Sequence, residues 1–485
     1  MPIDLTNIST FQDAVVTVMG LGRFKNGSGI GAAKWLMRHG AQIVITDLKS
    51  HEELQESVDE IMSWYEKYKE QFPHRDIYSP VFVLGEHRAD DFTDVDLVMQ
   101  NPGVPRESEF VQLAKQNNVP VESDMSLFFR LCPFPLYAIT GTRGKSTTTA
   151  LLGEIFKKVH PETVVAGNIQ RSPLEDLDWL LEEDNPVPVV LEMSSWLIDS
   201  LENVKRAPDI GIFTNIYADH LNRYQSLEAY RESKAEMFYK QTTEQSGVFN
   251  LDQEDIKIVG EKSPGKKFWF SKNVLPNGLN GTYVTNGKLV FRSGDSVEEV
   301  ILVSEIKLQG EHNLANALAA VALAKIAGLG NEKITTALRE FGGLPGRQEV
   351  IRELNRITYI NDTTATSPDG AIAALDRFGQ KKNVVLLAGG ATKGLPLETL
   401  GEAIKTTCKF VVLFEGTAVE EFLAVIGDSV PVVRVESMKA AIEAASEVAG
   451  EGDIVLLSPG TASFGIFKNE FDRGDQFVAA VKKLK

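Results

Sequence analysis

Residues 136–149 read LYAITGTRGKSTTT, and no other stretch of the chain limits its fold so sharply. An apolar run with strand character, LYAIT, enters Gly141 and Gly144. Lys145 and Ser146 follow, and then a segment from about Thr147 to Lys158 in which Leu151, Leu152, Ile155 and Phe156 recur at helical spacing. Counted from Ala138 the pattern is A-x2-G-x2-GKS, a phosphate-loop layout with Ala in the first glycine position. A strand that turns into a helix through glycines leaves free helix amides at the carboxyl edge of a parallel sheet. Gly141, Thr142, Arg143 and Gly144 can then wrap round phosphate oxygens, with the helix dipole favouring the anion. Lys145 is placed to meet β- and γ-phosphates, and Ser146 or Thr147 to ligate Mg²⁺. The competing reading is a tight turn with a surface lysine. The coincidence of strand, glycines, Lys-Ser and helix disfavours it.

Similar grammar runs along the chain. AVVTVM (14–19), AQIVIT (41–46) and LVM (97–99) read as strands, with a helix over 29–40 between the first two. Pro133 and Pro135 mark a change of unit. In the second unit, VVLEM (189–193) and IGIFT (210–214) are further strands, and 314–330 is a long Ala-rich helix. KKFWF, GTYV, KLVF and VILV, within 265–305, predict a small antiparallel element beside the parallel sheet. After GGLPGR (342–347), a third series of strands begins with ITYI (357–360) and ends with DIVLLSP (453–459). The domains expected are 1–133, 134–346 and 347–485.

Glu192 ends a buried-looking strand in LEMSSW, where an acid suits the ligand-binding edge of a parallel sheet better than a core. It is a candidate Mg²⁺ ligand, with Ser194 and Ser195 as hydroxyl donors. NIYADHLNRY (215–224) repeats the layout and offers His220 for metal or substrate, against the ordinary reading of a structural histidine. In the helical stretch 226–239, Tyr230, Lys234 and Phe238 share one face. Such a lysine either faces inward or snorkels to water, and spacing does not decide. In the first domain, Gly20 and Gly22 after a strand, a second cluster at Gly27, Gly29 and Gly31, and Asp47 at the next strand end follow dinucleotide-fold grammar. The helix-opening glycines are displaced from Gly22, so a nucleotide-diphosphate group fits better than a nicotinamide dehydrogenase.

Composition closes off other classes. Lys and Arg number 50 and Asp and Glu 67, a formal net charge of −17, which argues against nucleic acid and anionic membrane. The two cysteines, Cys132 and Cys408, form no disulfide framework. No apolar run is long enough to span a bilayer, and the start has no signal-peptide layout, so a cytoplasmic protein without membrane insertion is expected.

Taken together, GTRGKSTTT, LEMSSW, NIYADHLNRY, EAYRESKAEMFY, GEHNLANALAA, GLPGR, INDTTAT, GGATKG and LLSPGTASFGIFKNEFDRG resemble the Mur ligase family over essentially the whole chain. They are most similar to the branch that joins D-glutamate to UDP-N-acetylmuramoyl-L-alanine. The resemblance implies an α/β chain of three domains: an N-terminal Rossmann-like UDP-binding domain, a central P-loop ATPase domain and a C-terminal Rossmann-like amino-acid-binding domain. It implies an ATP-dependent ligase of peptidoglycan precursor synthesis, hence of cell-wall biogenesis, cell shape and cell division, acting as a monomer through an acyl phosphate.

The resemblance also assigns roles. Lys145 and Ser146 would hold ATP phosphates with Mg²⁺, two ions in all. Glu192 and His220 would be metal ligands, and Lys234 would be carbamylated to help hold the second ion. Asn313 and Asn316, with His312, would lie near the adenine, and Arg347 and Asp362 would contact ATP. Thr366, Lys393, Ser463 and Phe464 would surround the incoming amino acid. Gly22, Asp47, Asn168 and Ser194 would face the UDP substrate. The chain departs from the branch at Arg143 (usually Asn), Thr364 (usually Lys), Gln170 (usually Gly) and Glu470, near a usual Phe. Those departures bear on which amino acid is accepted. The alternatives weighed are the same chemistry with L-glutamate or another amino acid, the related folylpolyglutamate synthase plan, and a non-catalytic nucleotide-binding homologue.

Overall fold

The computed structural model describes residues 3–22, 27–168, 171–219, 221–463 and 465–484, with backbone alone for Leu221 and Asn222. The chain forms two compact units, 1–306 with 315–339, and 307–314 with 340–485. The first unit carries two sheets. β1 (Val15–Met19), β2 (Gln42–Asp47), β3 (Val81–Leu84), β4 (Leu97–Gln100) and β5 (Val121–Glu122) form a parallel sheet in the order β3-β2-β1-β4-β5. The order reverses between β1 and β4, so a crevice opens at their carboxyl ends, where Gly20 and Asn101 lie.

The second sheet is built from β6 (Leu136–Thr140), β7 (Val164–Gly167), β8 (Val189–Glu192), β9 (Ile210–Phe213), β10 (Ser246–Asn250), β11 (Lys266–Ser271), β12 (Gly281–Thr285), β13 (Lys288–Ser293) and β14 (Ser296–Leu302). Its order is β14-β13-β12-β11-β10-β9-β6-β8-β7. From β7 to β12 every pair is parallel; β12-β13 and β13-β14 are antiparallel. The expected antiparallel element is present as β12-β13-β14, continuous with the edge of the parallel sheet. KKFWF is a parallel strand of the main sheet, and the meander extends that sheet from β12. Short strands broken by Gly and Asn look alike whether they hairpin or join an edge, because the pairing partner is not a local property. β6 has β8 on one side and β9 on the other, so the carboxyl ends of these three strands border the switch point of this sheet.

The second unit holds β15 (Glu349–Leu354), β16 (Ile357–Asn361), β17 (Val384–Gly389), β18 (Cys408–Phe414), β19 (Val432–Val435) and β20 (Ile454–Leu457), ordered β15-β16-β20-β17-β18-β19. Among the described residues only β15 runs antiparallel to its neighbour in this sheet, a strand the sequence pattern does not reveal. The run VVLLAG of β17 is buried throughout, as expected for a parallel strand covered on both faces. Three sheets in succession support our proposal of three domains divided near 133 and 346.

Helices cover the sheets through their apolar stripes. In the helix Lys145–Lys157, Leu151, Leu152, Ile155 and Phe156 are buried. Each such side chain contributes about 1.5–3 kcal/mol on leaving water. Among the described residues no helix is long and apolar enough to cross a membrane.

Candidate active site

At the end of β6 the chain makes the turn that the sequence predicts. Gly141 has φ +147° and Gly144, the residue before the helix Lys145–Lys157, has φ +76°. A Cβ on Gly141 would lie 2.0 Å from Thr214 Oγ1, and one on Gly144 would lie 2.2 Å from Asn316 Oδ1. The turn is stapled from outside by the residues after β9. Thr142 N donates to Asn215 O at 2.8 Å and Arg143 N to Asn215 Oδ1 at 2.7 Å. Asn215 Nδ2 and Thr214 Oγ1 both donate to Arg143 O, at 3.0 and 2.8 Å. Lys145 Nζ bends back over the loop to Gly141 O and Thr142 O, at 3.0 Å each. The lysine charge is thus held over the loop. Ser146 and Thr147 lie in the first turn of the helix, both buried. Arg143 reaches Asp219, Nη2 to Oδ2 at 3.6 Å.

Glu192, the last residue of β8, neighbours the same turn, paired in register with Ile139 of β6. It is 1% exposed. Asn168 Nδ2 donates to its Oε1 at 2.9 Å, whereas Oε2 is buried with no hydrogen-bond donor among the described residues. A buried carboxylate oxygen without a donor fits a hard divalent cation. Asn168 N also donates to Glu192 O at 3.0 Å, so Asn168 braces Glu192 through both backbone and side chain. Ser194 caps the next helix, its Oγ accepting from Leu197 N at 3.3 Å, and Ser195 is buried.

Lys234 is 1% exposed, which decides between the inward and snorkelling readings. Its Nζ lies 4.6 Å from the centroid of the Tyr230 ring. Burial, and then the charge of Lys145, pushes the amine well below the ordinary lysine range, with Asp219, Asp199 and Glu192 pulling the other way. Tyr230 and Phe238 are buried on the same helix, Leu227–Tyr239. Lys234 as an ammonium is no metal ligand. His220 and Phe464 lie outside the described residues, as does Gln170.

In the first sheet, Gly20 and Gly22 have φ +85° and +77°. Both oxygens of Asp47 brace loops: Oδ2 accepts from Leu21 N at 2.9 Å and Oδ1 from Lys49 N at 3.0 Å. A Cβ on Gly29 would lie 2.4 Å from Leu21 O, so the helix Ser28–Arg38 approaches this loop as closely as the displaced glycines allow.

The second unit gathers its own set. Asp362, just after β16, is buried; its Oδ2 accepts from Ser458 Oγ at 2.8 Å and its Oδ1 from Gln348 N at 3.1 Å. Burial raises it to about 7 despite these bonds and the neighbouring charges of Arg347 and Arg377. Lys393 Nζ donates to Thr366 Oγ1 at 3.2 Å, which brings together two residues expected at the amino-acid site, and Ser463 is buried. Thr364 donates to Gly346 O at 3.0 Å, beside Arg347. Glu470 begins the helix Glu470–Lys483, and its backbone oxygen accepts from Thr363 Oγ1 at 2.6 Å. On the helix Glu311–Ile326, Asn313 falls in this unit and is buried, its Nδ2 donating to Gln309 O at 2.9 Å, whereas Asn316, also buried, falls in the first unit. The stapling role of Thr214 and Asn215 leaves no mark in the sequence beyond their position directly after a strand of the same sheet.

The chain is similar to known proteins over most of its length. Residues 139–324 match the Mur ligase middle domain, and residues 346–460 match the Mur ligase glutamate ligase domain. A UDP-N-acetylmuramoylalanine–D-glutamate ligase of Roseiflexus sp. (strain RS-1) is 38% identical over 477 residues, covering 96% of this chain and 98% of its own. The enzyme of that name from Clostridioides difficile (strain 630) is 33% identical, covering 97% and 98%. Among solved structures, the UDP-N-acetylmuramate-alanine ligase of Thermotoga maritima has a TM-score of 0.58 at 19% identity, covering 97% of this chain and 100% of its own. The MurF ligase of Thermotoga maritima, solved in complex with ADP, has a TM-score of 0.57 at 17% identity, covering 99% and 98%.

Proposed function

The chain belongs to the Mur ligase family, and from that premise we propose that it joins D-glutamate to UDP-N-acetylmuramoyl-L-alanine at the expense of ATP, in peptidoglycan precursor synthesis. The observation that carries the chemistry is the meeting of phosphate loop, Glu192 and buried Lys234 around one switch point. Similarity along the full chain to D-glutamate ligases supports the choice of substrates.

A carboxylate is a poor acyl donor because its leaving group would be oxide. Transfer of the γ-phosphoryl group to the substrate carboxylate gives an acyl phosphate and ADP. The amino group of glutamate then attacks the carbonyl carbon; phosphate leaves with the bonding electrons and the nitrogen loses a proton. The loop amides and Lys145 bind and orient the phosphates, and they neutralise charge that builds in both steps. Ser146, Glu192, His220 and a carbamylated Lys234 would hold Mg²⁺, which supplies further neutralisation of phosphoryl charge. Asn168 keeps Glu192 oriented. Asn313, Asn316, Arg347 and Asp362 serve the nucleotide. Gly22, Asp47, Asn168 and Ser194 serve the UDP substrate. Thr366, Lys393 and Ser463, with Phe464, serve the amino acid. The reading carries a monomer in the cytoplasm, where ATP and UDP-sugars are supplied.

Phosphate release measured with ATP, Mg²⁺, UDP-N-acetylmuramoyl-L-alanine and a panel of D- and L-amino acids tests it. D-glutamate is expected to give the highest kcat/KM. Preference for L-glutamate, or for a neutral or basic amino acid, refutes the substrate assignment.

A further inference from the structure

Asp199 receives more hydrogen-bond donors than a solvated helix-end acid would. It ends the short helix Ser195–Asp199, which starts three residues after Glu192. Its Oδ1 accepts from Ser233 Oγ at 2.7 Å, and its Oδ2 from Tyr224 OH at 2.9 Å and Arg223 Nη2 at 3.2 Å. Its backbone oxygen accepts from Arg106, in the loop after β4. The Arg223 guanidinium also lies over the Trp196 ring, 5.1 Å from its centroid. The side chains of Arg223 and Asp199 are only 19% and 13% exposed, so water screens this pair weakly.

The origin of the donors is what gives the cluster meaning. Ser233 directly precedes Lys234, and Arg223 and Tyr224 closely follow His220. The Tyr224 and Tyr230 ring centroids are 5.3 Å apart, and Lys234 Nζ lies 4.6 Å from the centroid of the Tyr230 ring. One carboxylate on the strand-and-helix segment of Glu192 therefore ties down both segments that bear the other candidate ligands.

We propose that Asp199 is a positioning residue for the ligase reaction: it sets Lys234 beside Glu192 through Ser233, and fixes the segment after His220 through Arg223 and Tyr224. The inference rests on the reading of Lys234 as a carbamate that binds Mg²⁺. Partners that orient metal-binding side chains typically matter by about 10- to 100-fold in affinity or activity. Asp199 never touches the nucleotide in this scheme, so its loss acts on ion binding and turnover and spares the affinity for ATP.

The test is Asp199→Asn, which keeps the shape but removes the charge and one acceptor. The full-length protein is equilibrated with ¹³C-bicarbonate, and the carbamate carbon is read by NMR, alongside kcat, KM for ATP and the Mg²⁺ concentration giving half-maximal rate. The variant is expected to lose carbamate signal, to need roughly tenfold or more Mg²⁺ and to lose roughly tenfold or more in kcat, with KM for ATP within about twofold of wild type. Asp199→Glu, which restores the charge, should recover part of each loss. Ser233→Ala cuts the arm to Lys234, together with a longer bond from Ser233 Oγ to Tyr224 OH at 3.4 Å, but leaves the bonds of Arg223 and Tyr224 to Asp199; it should move the same readouts in the same direction, and it serves if Asp199→Asn does not fold. A wild-type protein without carbamate signal overturns the reading of Lys234 and the inference with it. A wild type with the signal, and variants unchanged in carbamate, Mg²⁺ requirement and kcat, overturns the role of Asp199 alone.

Discussion

Asp362→Asn should stabilise the protein at alkaline pH while impairing it as an enzyme. The native carboxyl is raised from 3.8 to about 7 by burial. Because the folded state holds the proton more tightly than the unfolded chain, stability falls as pH rises from 3.8 towards 7. The penalty is absent below the lower value and complete above the upper one. Linkage with those two values gives a cost of about 4 kcal/mol at pH 8 and about 2 kcal/mol at pH 5. Asparagine carries no charge at either pH. Its Oδ1 can still accept from Gln348 N, and the Ser458 hydroxyl can rotate to accept from the amide. The stabilisation by Asp362→Asn should therefore be about 2–3 kcal/mol larger at pH 8 than at pH 5, or roughly 5–10 °C in the transition of a unit this size. Differential scanning calorimetry of the full chain at both pH values measures it. An equal shift in Tm at both pH values would show that Asp362 is ionised in the folded protein well below pH 7 and refute the argument. Turnover of the same variant should fall, because a site acid kept at a cost in stability is expected to serve function.

Lys145→Ala removes the side-chain cation whose Nζ donates to Gly141 O and Thr142 O of the loop; amide formation should be abolished with the protein still folded, and near-normal phosphate release would sink the phosphate-loop reading. Lys234→Ala should lose most activity, and short-chain carboxylates such as acetate should restore part of it by occupying the vacated volume; failure of every such acid to act while a Mg²⁺ requirement persists unchanged would argue against a carbamate. Lys393→Ala should raise the KM for D-glutamate by about ten- to a hundredfold, since a charge-assisted hydrogen bond to a carboxylate contributes about 1.5–3 kcal/mol, and should change the KM for ATP little; steady-state kinetics over both substrates separates the two effects.

The phosphate loop was legible because its constraints are local. Gly141 and Gly144 need unusual backbone, the following helix needs an apolar stripe, and both signals sit within a few residues of each other. Glu192 was legible for a related reason: an acid closing an apolar run is out of place unless the run ends at a sheet edge, and β8 ends there. The inward turn of Lys234 needed the third dimension, since helical spacing gave its face but not what covers it. The asparagine and threonine that staple the loop from the end of β9 were not legible as such, because β6 and β9 are neighbours only through the strand order β9-β6-β8. The same holds for Asp199. In sequence it is an acid at the end of a five-residue helix, with donors lying 24, 25 and 34 positions away. What separates these cases is the range of the interaction that gives the residue its role. Residues that shape their own backbone announce themselves in the pattern, whereas residues that orient others do so across strands and helices, and their function is read only once those elements have been brought together.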